Sequence, residues 1–364
     1  MQIYEYIPKL IRAAINNDRK NVESFALLIG KKLKKEDPDV SAEIMKILSC
    51  TNSGVDIMRS IDISPLPVDR ETRYQLAKLE EPVMVKPPVL CESVMSQLED
   101  FLKERSMIET FLKEDVVPPN SILLSGKPGV GKTYIAKWLS YKLNMPIVTL
   151  DLANSISSYL GRSGQNIKNI FQYTKEQNVI LFLDEIDAIA KRRDDISDLG
   201  ELKRLVNVLL KELEDCPVTC VIIGATNHPE LLDKAIWRRF DRNIEVLMPG
   251  ESQRRKLILR TLANKAENVD ENTIEILING TEQLSAADIC KMCEHIKRKM
   301  LMNREESADV SALRAYCEAV NNTSKWSKVK ICKELKKQGK GMTIKKISDI
   351  TKIPTSTVDR YIKE

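Results

Sequence analysis

GKPGVGKT, residues 126–133, decides how this chain is read. Its spacing is G-x-x-x-x-G-K-T. Glycines at 126, 129 and 131 let the backbone curl with its N–H groups turned inward, where they can cradle phosphate oxygens. Lys132 has the reach for β- and γ-phosphates, and the Thr133 hydroxyl can hold Mg²⁺. Ile122, Leu123 and Leu124 before the loop read as a buried strand; Ile135, Ala136, Trp138, Leu139 and Leu143 after it recur at helical spacing. The helix brings its positive end to the same place. The candidate nucleotide-binding residues are therefore Gly126, Lys127, Pro128, Gly129, Val130, Gly131, Lys132 and Thr133, with Tyr134 behind them.

About fifty residues on, the apolar run Val179 to Leu183 ends in Asp184 and Glu185 (VILFLDEID). Two carboxylates at the carboxyl end of a buried strand are costly unless they work. Asp184 is expected to orient Mg²⁺, and Glu185 to polarise the attacking water.

With these motifs the chain resembles AAA+ ATPases of the classical AAA clade, from about residue 86 to 320. Four further stretches carry the resemblance. Tyr159, Leu160 and Gly161 are similar to the aromatic-hydrophobic-glycine pore loop, an alternative being a tyrosine packed on its own helix. GATN, residues 224–227, resembles the sensor 1 strand, with Asn227 as sensor. LDKAIWRRFDR, residues 232–242, resembles the segment in which Arg239 and Arg242 match the two arginine fingers. LSAADI, residues 284–289, resembles the lid motif, and its Ala286-Ala287-Asp288 stands where several DNA-handling clades place a sensor 2 arginine. The resemblance implies ATP and Mg²⁺ as cofactors and ATP hydrolysis in a homo-oligomeric ring, a hexamer. Each site would be completed by arginines from the neighbour, and a polypeptide would be remodelled or threaded through the pore. No HExxH is present and the two histidines suggest no Ser-His-Asp arrangement, so any proteolysis would need a separate protease partner. The domain order also resembles bacterial AAA proteins paired with subtilisin-like proteases.

The 364 residues are 43% hydrophobic and 30% charged, the balance of a folded protein with two or three domains. There is no apolar run long enough for a membrane helix and no basic-then-apolar leader, and the eight cysteines form no framework. Together these point to a cytoplasmic, membrane-free location. Cys290, Cys293 and His295 suggest a metal only superficially, since no second ligand pair lies near.

The expected fold is α/β: a three-layer P-loop core with a five-stranded parallel sheet, near 122–125, 147–150, 179–184, 218–225 and 243–247. An α-helical lid and small all-α modules at both ends complete it. The divisions are 1–50, a helical domain serving as adaptor or packing module; 51–85, a proline-rich linker with one short helix near Glu71–Leu79; 86–250, the α/β subdomain; 251–322, the lid with four helices; and 325–364, a basic module. Cys91–Leu112 reads as one amphipathic helix.

Residues 325–364 hold twelve Lys/Arg against four Asp/Glu, a net of +8, so the rest of the chain sums to −3. The segment resembles a helix-turn-helix: Ile344, Ile347 and Ile350 inside, Ile353 at the turn, Val358 and Tyr361 or Ile362 anchoring the second helix. Thr355, Ser356, Thr357 and Arg360 are placed for DNA or for a protein partner. DNA recruitment through this module is the alternative to polypeptide threading. As a separate module, it should be removable without loss of basal ATPase activity.

Overall fold

The computed structural model describes residues 76–152, 163–188, 199–302, 307–320, 325–337 and 342–363, with isolated positions before residue 68. The expected helical domain 1–50, the linker up to residue 75 and the Tyr159–Gly161 loop lie outside the described residues. The chain divides into two units, Met1–Pro65 and Leu66–Glu364. The second unit holds the sheet, the lid and the C-terminal helices.

In chain order the elements begin with β1 (Lys78–Glu80), α1 (Glu92–Ser106), α2 (Ile108–Lys113), β2 (Ser121–Ser125), α3 (Lys132–Leu143) and β3 (Ile147–Asp151). There follow α4 (Ser163–Glu176), β4 (Ile180–Asp184), α5 (Leu199–Glu214), β5 (Val221–Thr226), α6 (Lys234–Trp237) and β6 (Arg242–Glu245). The sheet order is β1-β3-β4-β5-β2-β6, parallel except for β1. The chain leaves β2 to build one side of the sheet and returns beside it to build the other. The strand order therefore switches at β2, and in such sheets the crevice beyond the carboxyl ends at the switch is where ligands bind.

β1 corrects two expectations: among the described residues there are six strands, and Lys78 and Leu79 are extended rather than helical. Lys78 to Glu80 pair with Thr149 to Ile147 and cap an otherwise open edge. Pairing with a distant strand outweighs what the local residues favour. The helix expected over Cys91–Leu112 is broken at Met107, whose φ of −112° and ψ of 21° are not helical.

One layer over the sheet is α1 and α3. Leu98, Phe101, Ile135, Trp138 and Leu139 pack on Ile122, Leu124, Phe182 and Ile223. Because strand side chains alternate, Leu123 and Leu181 face the other way, where α4 and α5 pack.

The lid comprises α7 (Glu251–Leu262), α8 (Glu271–Gly280), α9 (Ala286–Met302) and α10 (Ala308–Val320), the four helices expected. The chain then runs through α11 (Lys325–Lys337), α12 (Ile344–Thr351) and α13 (Thr355–Lys363). Ile347, Ile350, Ile353, Val358 and Tyr361 are buried as the helix-turn-helix pattern requires. Lys352 is left-handed at φ 59°, where such a turn usually has glycine, and Ser348 Oγ donates to Ile353 O across the turn at 2.6 Å. The C-terminal helices, however, are not a free module. Ile331, Leu335, Ile347, Ile350 and Val358 belong to the same apolar cluster as Leu277, Met292, Leu313 and Tyr316 of the lid. The reason is that the helix pair has too little apolar surface of its own, and α10 supplies the missing face. The tail thus shares its apolar core with the lid.

At the centre of this cluster Tyr316 is fully buried. A Cβ on Gly280 would meet Tyr316 Oη at 2.1 Å and Cζ at 2.7 Å. Gly280→Ala is therefore expected to cost about 1–3 kcal/mol by overpacking, since the ring has no room to retreat. A urea unfolding curve reads the loss as a lower midpoint at unchanged slope; an unchanged midpoint would refute the tight contact.

Candidate active site

The loop after β2 places its glycines in backbone conformations that side chains resist. Gly126, Gly129 and Gly131 have φ of 148°, 79° and 110°. A Cβ on Gly126 would meet Val246 O at 2.3 Å, and one on Gly129 would meet Ser285 Oγ at 2.4 Å. At Gly131 the space is open, so only the conformation demands glycine. Lys127 and Pro128 are exposed, Val130 is buried, and Gly131 leads into α3, so that the helix starts at Lys132 with Thr133 exposed beside it. Lys132 is buried, and its Nζ donates to Gly126 O (2.7 Å), Lys127 O (3.1 Å) and Asn227 Oδ1 (2.7 Å). Burial pulls its pKa below the ordinary lysine value, against the pull of Asp184 and Asp187.

Asp184 closes β4 next to Asp151 of β3. Burial raises its pKa, and the nearby Asp151 raises it further, while a hydrogen bond from Glu185 N–H and the charge of Lys132 oppose the rise. Glu185 is exposed, with φ 52°. Such a conformation costs a non-glycine residue roughly 1–3 kcal/mol and is found where function holds it in place. Here Asp184 Oδ1 accepts the Glu185 N–H at 3.0 Å, and Ile186 N–H and Ala188 N–H are bonded to Ala225 O and Glu185 O. Lys132, Asn227 and the strand-end carboxylates Asp184 and Glu185 thus lie at the carboxyl edge of β2, β4 and β5.

The two arginines do not join them. Arg242 lies beside Ile122 in the β2–β6 register, while Ser125, the residue before the P-loop, lies beside Glu245. Arg242 is at the opposite end of the strands, a separation of roughly 10 Å along three residue steps. Arg239 is 41% exposed and pairs with Glu214 at 3.0 Å. Arg242 is less free: it donates to Gln97 O (2.9 Å) and Glu104 Oε2 (2.6 Å), fastening β6 to α1. Tyr134 also turns away from the loop, its hydroxyl donating to Lys86 O at 2.9 Å.

The family model described as "ATPase family associated with various cellular activities (AAA)" matches residues 122–248. A proteasome-activating nucleotidase of Methanococcus maripaludis is 33% identical over 247 residues, covering 64% of this chain and 59% of that protein. One from Methanothermobacter thermautotrophicus is 31% identical over 263 residues, covering 68% and 62%. A putative 26S proteasome regulatory subunit homolog of the same archaeon is 30% identical over 304 residues, covering 79% of this chain and 78% of that protein. The chain belongs to the AAA ATPase family. It spans less than two thirds of the length of the proteasome-activating nucleotidases it matches here.

The matching family is one of ATPases, which implies ATP with Mg²⁺ at this site. The residues fit that cofactor. Hard oxygen donors at Thr133 and Asp184 suit Mg²⁺, which takes one or two protein ligands and completes its shell with phosphate and water. No cluster of three or more His, Cys, Asp or Glu able to hold a metal alone occurs among the described residues, Cys290 and Cys293 included. Beside Val130 a cavity of about 210 Å³, walled by Leu90, Cys91, Val94, Met248 and Ala286, offers apolar room for a planar base.

The AAA site also rests on residues that the sequence reading passed over. Asp187, buried, accepts the Thr226 hydroxyl (3.0 Å) and the Asn227 N–H (3.2 Å), which fixes the backbone at Asn227. Asp241 accepts the N–H groups of Asn120 and Ser121 (2.8 and 3.0 Å) and the Ser121 hydroxyl (2.7 Å), which ties the arginine segment to the start of β2. Phe240 packs under Gly224, where a Cβ would meet its ring at 2.7 Å. The available signals were the second aspartate of LDEID and the aspartate of RRFDR. At the lid, Ser285 Oγ accepts the Asp288 N–H at 3.2 Å and donates to Asp288 Oδ2 at 2.6 Å, which caps the start of α9. Ala287 N–H donates to Gly129 O at 2.9 Å, joining lid and phosphate loop.

Proposed function

We propose that this protein is an ATP-driven ring motor that unfolds or threads polypeptides, feeding a separate protease. The observation that carries the ring is the placement of Arg239 at the end of the strands away from its own P-loop. In this reading a site has its nucleotide residues in one subunit and Arg239 from the next, in a homo-oligomer of AAA form, a hexamer. Arg242 serves less directly, holding the segment against α1. Gly126–Thr133 bind the phosphates, Thr133 and Asp184 hold Mg²⁺, Glu185 accepts the proton of the attacking water, and Asn227 orients the γ-phosphate. Lys127, Pro128 and Val130 contribute backbone. Tyr134 contributes through its place at the head of α3.

The motor reading draws on similarity to proteasome-activating nucleotidases and on the Tyr159-Leu160-Gly161 pattern, for which gripping an unfolded chain is the proposed role. The protease partner is drawn from the names of those relatives. No described helix is long and apolar enough to cross a membrane, and a cytoplasmic location is the proposal that goes with this role. No described contact favours DNA over a protein partner for the C-terminal helices.

The test is ATP-dependent unfolding of a fluorescent protein carrying an unstructured tag. The wild-type chain is expected to bleach it, and Tyr159→Ala to lose bleaching while keeping ATPase turnover within about two- to threefold, because the loop grips substrate and not nucleotide. Bleaching unaffected by Tyr159→Ala would remove the pore-loop assignment.

A further inference from the structure

Cys216 and Cys220 lie on the loop between α5 and β5, in the stretch CPVTC. A turn closes it: Cys220 N–H donates to Pro217 O at 2.9 Å. The turn sets the two cysteines, four residues apart, at its two ends. Cys216 is half-buried, its neighbours Pro217 and Thr219 are exposed, and Cys220 is buried with its Sγ at 3.6 Å from Thr174 O. This contrasts with Cys293, Cys317 and Cys332, which are fully enclosed in the lid core.

The surroundings are cationic on one side. Lys175 pairs with Glu212 at 2.9 Å over the thiols, and Arg105 donates to Val218 O (2.6 Å) and Thr219 O (3.2 Å). The hydrogen bond from Cys216, and then Lys175 and Arg105, lower the Cys220 pKa against burial; the same bond and burial raise that of Cys216. The two cysteines thus sit together beside Lys175 and Arg105, a cationic setting like that of reactive thiol pairs.

The loop is held between the two supports of the arginine segment. Cys216 follows Glu214, the ion-pair partner of Arg239, by two residues. Pro217 O accepts from Asn120 Nδ2 at 3.1 Å, and Asn120 N–H in turn donates to Asp241 Oδ2.

We propose that Cys216 and Cys220 are an oxidation site that closes to a disulfide and thereby disturbs the seating of Arg239. The oxidant is of the peroxide class. One thiolate attacks a peroxide oxygen, the O–O bond breaks, and its sulfur becomes a sulfenic acid as the first water or alcohol leaves. The other sulfur then attacks that sulfur, an S–S bond forms, and the hydroxyl departs as water with the second thiol proton. Two thiols and one peroxide give one disulfide, one water from the condensation and one water or alcohol from the peroxide. Disulfide geometry draws the two Cβ atoms to about 3.5–4.5 Å. The pull is transmitted to the end of α5 and so to Glu214. The second part rests on the role given above to Arg239; the first does not.

The experiment treats the full-length chain with hydrogen peroxide, digests it without reduction and weighs the tryptic peptide 212–234, which holds Cys216 and Cys220 and no other cysteine. The expected result is a peptide lighter by two hydrogens, restored by dithiothreitol. In parallel, ATPase turnover falls several-fold on oxidation, returns on reduction, and does not fall in Cys216→Ser or Cys220→Ser. A peptide that keeps both thiols free, or that carries only sulfinic or sulfonic acid, overturns the site. A disulfide that forms with turnover unchanged, or a fall that persists in both serine variants, overturns the link to Arg239. A chain without ATPase activity under any condition would count against the motor reading and leave the mass result to decide the site.

Discussion

Arg239→Ala is expected to lower ATPase turnover by about 10³- to 10⁵-fold, the contribution of an arginine that meets charge developing on a transferring phosphate. ATP affinity should change little, because Arg239 is absent from its own nucleotide cradle. It lies at the far end of β2 and β6 and pairs with Glu214. Equilibrium binding of a fluorescent ATP analogue, read beside steady-state phosphate release, separates the two effects. Mixing then tests the geometry. A Lys132→Ala subunit keeps its arginines and an Arg239→Ala subunit keeps its P-loop. Where the first stands beside the second, one whole site is rebuilt, and activity should return in the mixture of two inactive proteins. No recovery, together with specific activity independent of protein concentration, would mean that Arg239 acts within its own chain or not at all.

The P-loop and carboxylate variants should fail in different ways. Lys132→Ala removes a buried cation that three oxygens hold in place, and with it the charge that offsets two phosphates. Nucleotide binding should be lost. Glu185→Gln keeps the shape of the side chain, and Asp184 is untouched. ATP should still bind, while turnover falls by about 10²- to 10⁴-fold, the usual worth of a general base. Nucleotide retained on gel filtration, beside absent phosphate release, identifies the second outcome. Turnover preserved in Glu185→Gln would overturn its assignment as the base.

The parts of the site that were legible beforehand are those encoded by short, local patterns. Gly126, Gly129 and Gly131 are visible because each answers a local backbone demand, and Asp184 and Glu185 because charge follows abruptly on the apolar run of β4. Asp187 and Asp241 were not legible, because the same letter serves a solvated turn and a carboxylate bound to backbone N–H groups from a distant strand. β1 escaped for a related reason: its partner Ile147–Thr149 is about seventy residues away, and its own three residues say little. Arg242 matched its motif in sequence, yet only the packing of Gln97 and Glu104 reveals how firmly it is held. In the tail, Ile347 and Ile350 fitted the interior of an independent helix pair; the same positions also fit a shared core, and periodicity does not distinguish the two.

That shared core changes where the protein should be cut in thought and at the bench. The charge of the chain shifts near residue 325, but its cooperativity does not. Tyr316, Cys317 and Leu313 on one side, and Ile331, Leu335 and Ile350 on the other, are walls of one enclosure, so they melt and form together as a single folding unit. A truncation at residue 322 leaves an open apolar wound on the lid, not a trimmed enzyme. The basic surface of the last helices is, in the same sense, the outer skin of the nucleotide lid, and whatever settles there rests on the same apolar core as the helix whose Ala287 N–H is bonded to the phosphate loop.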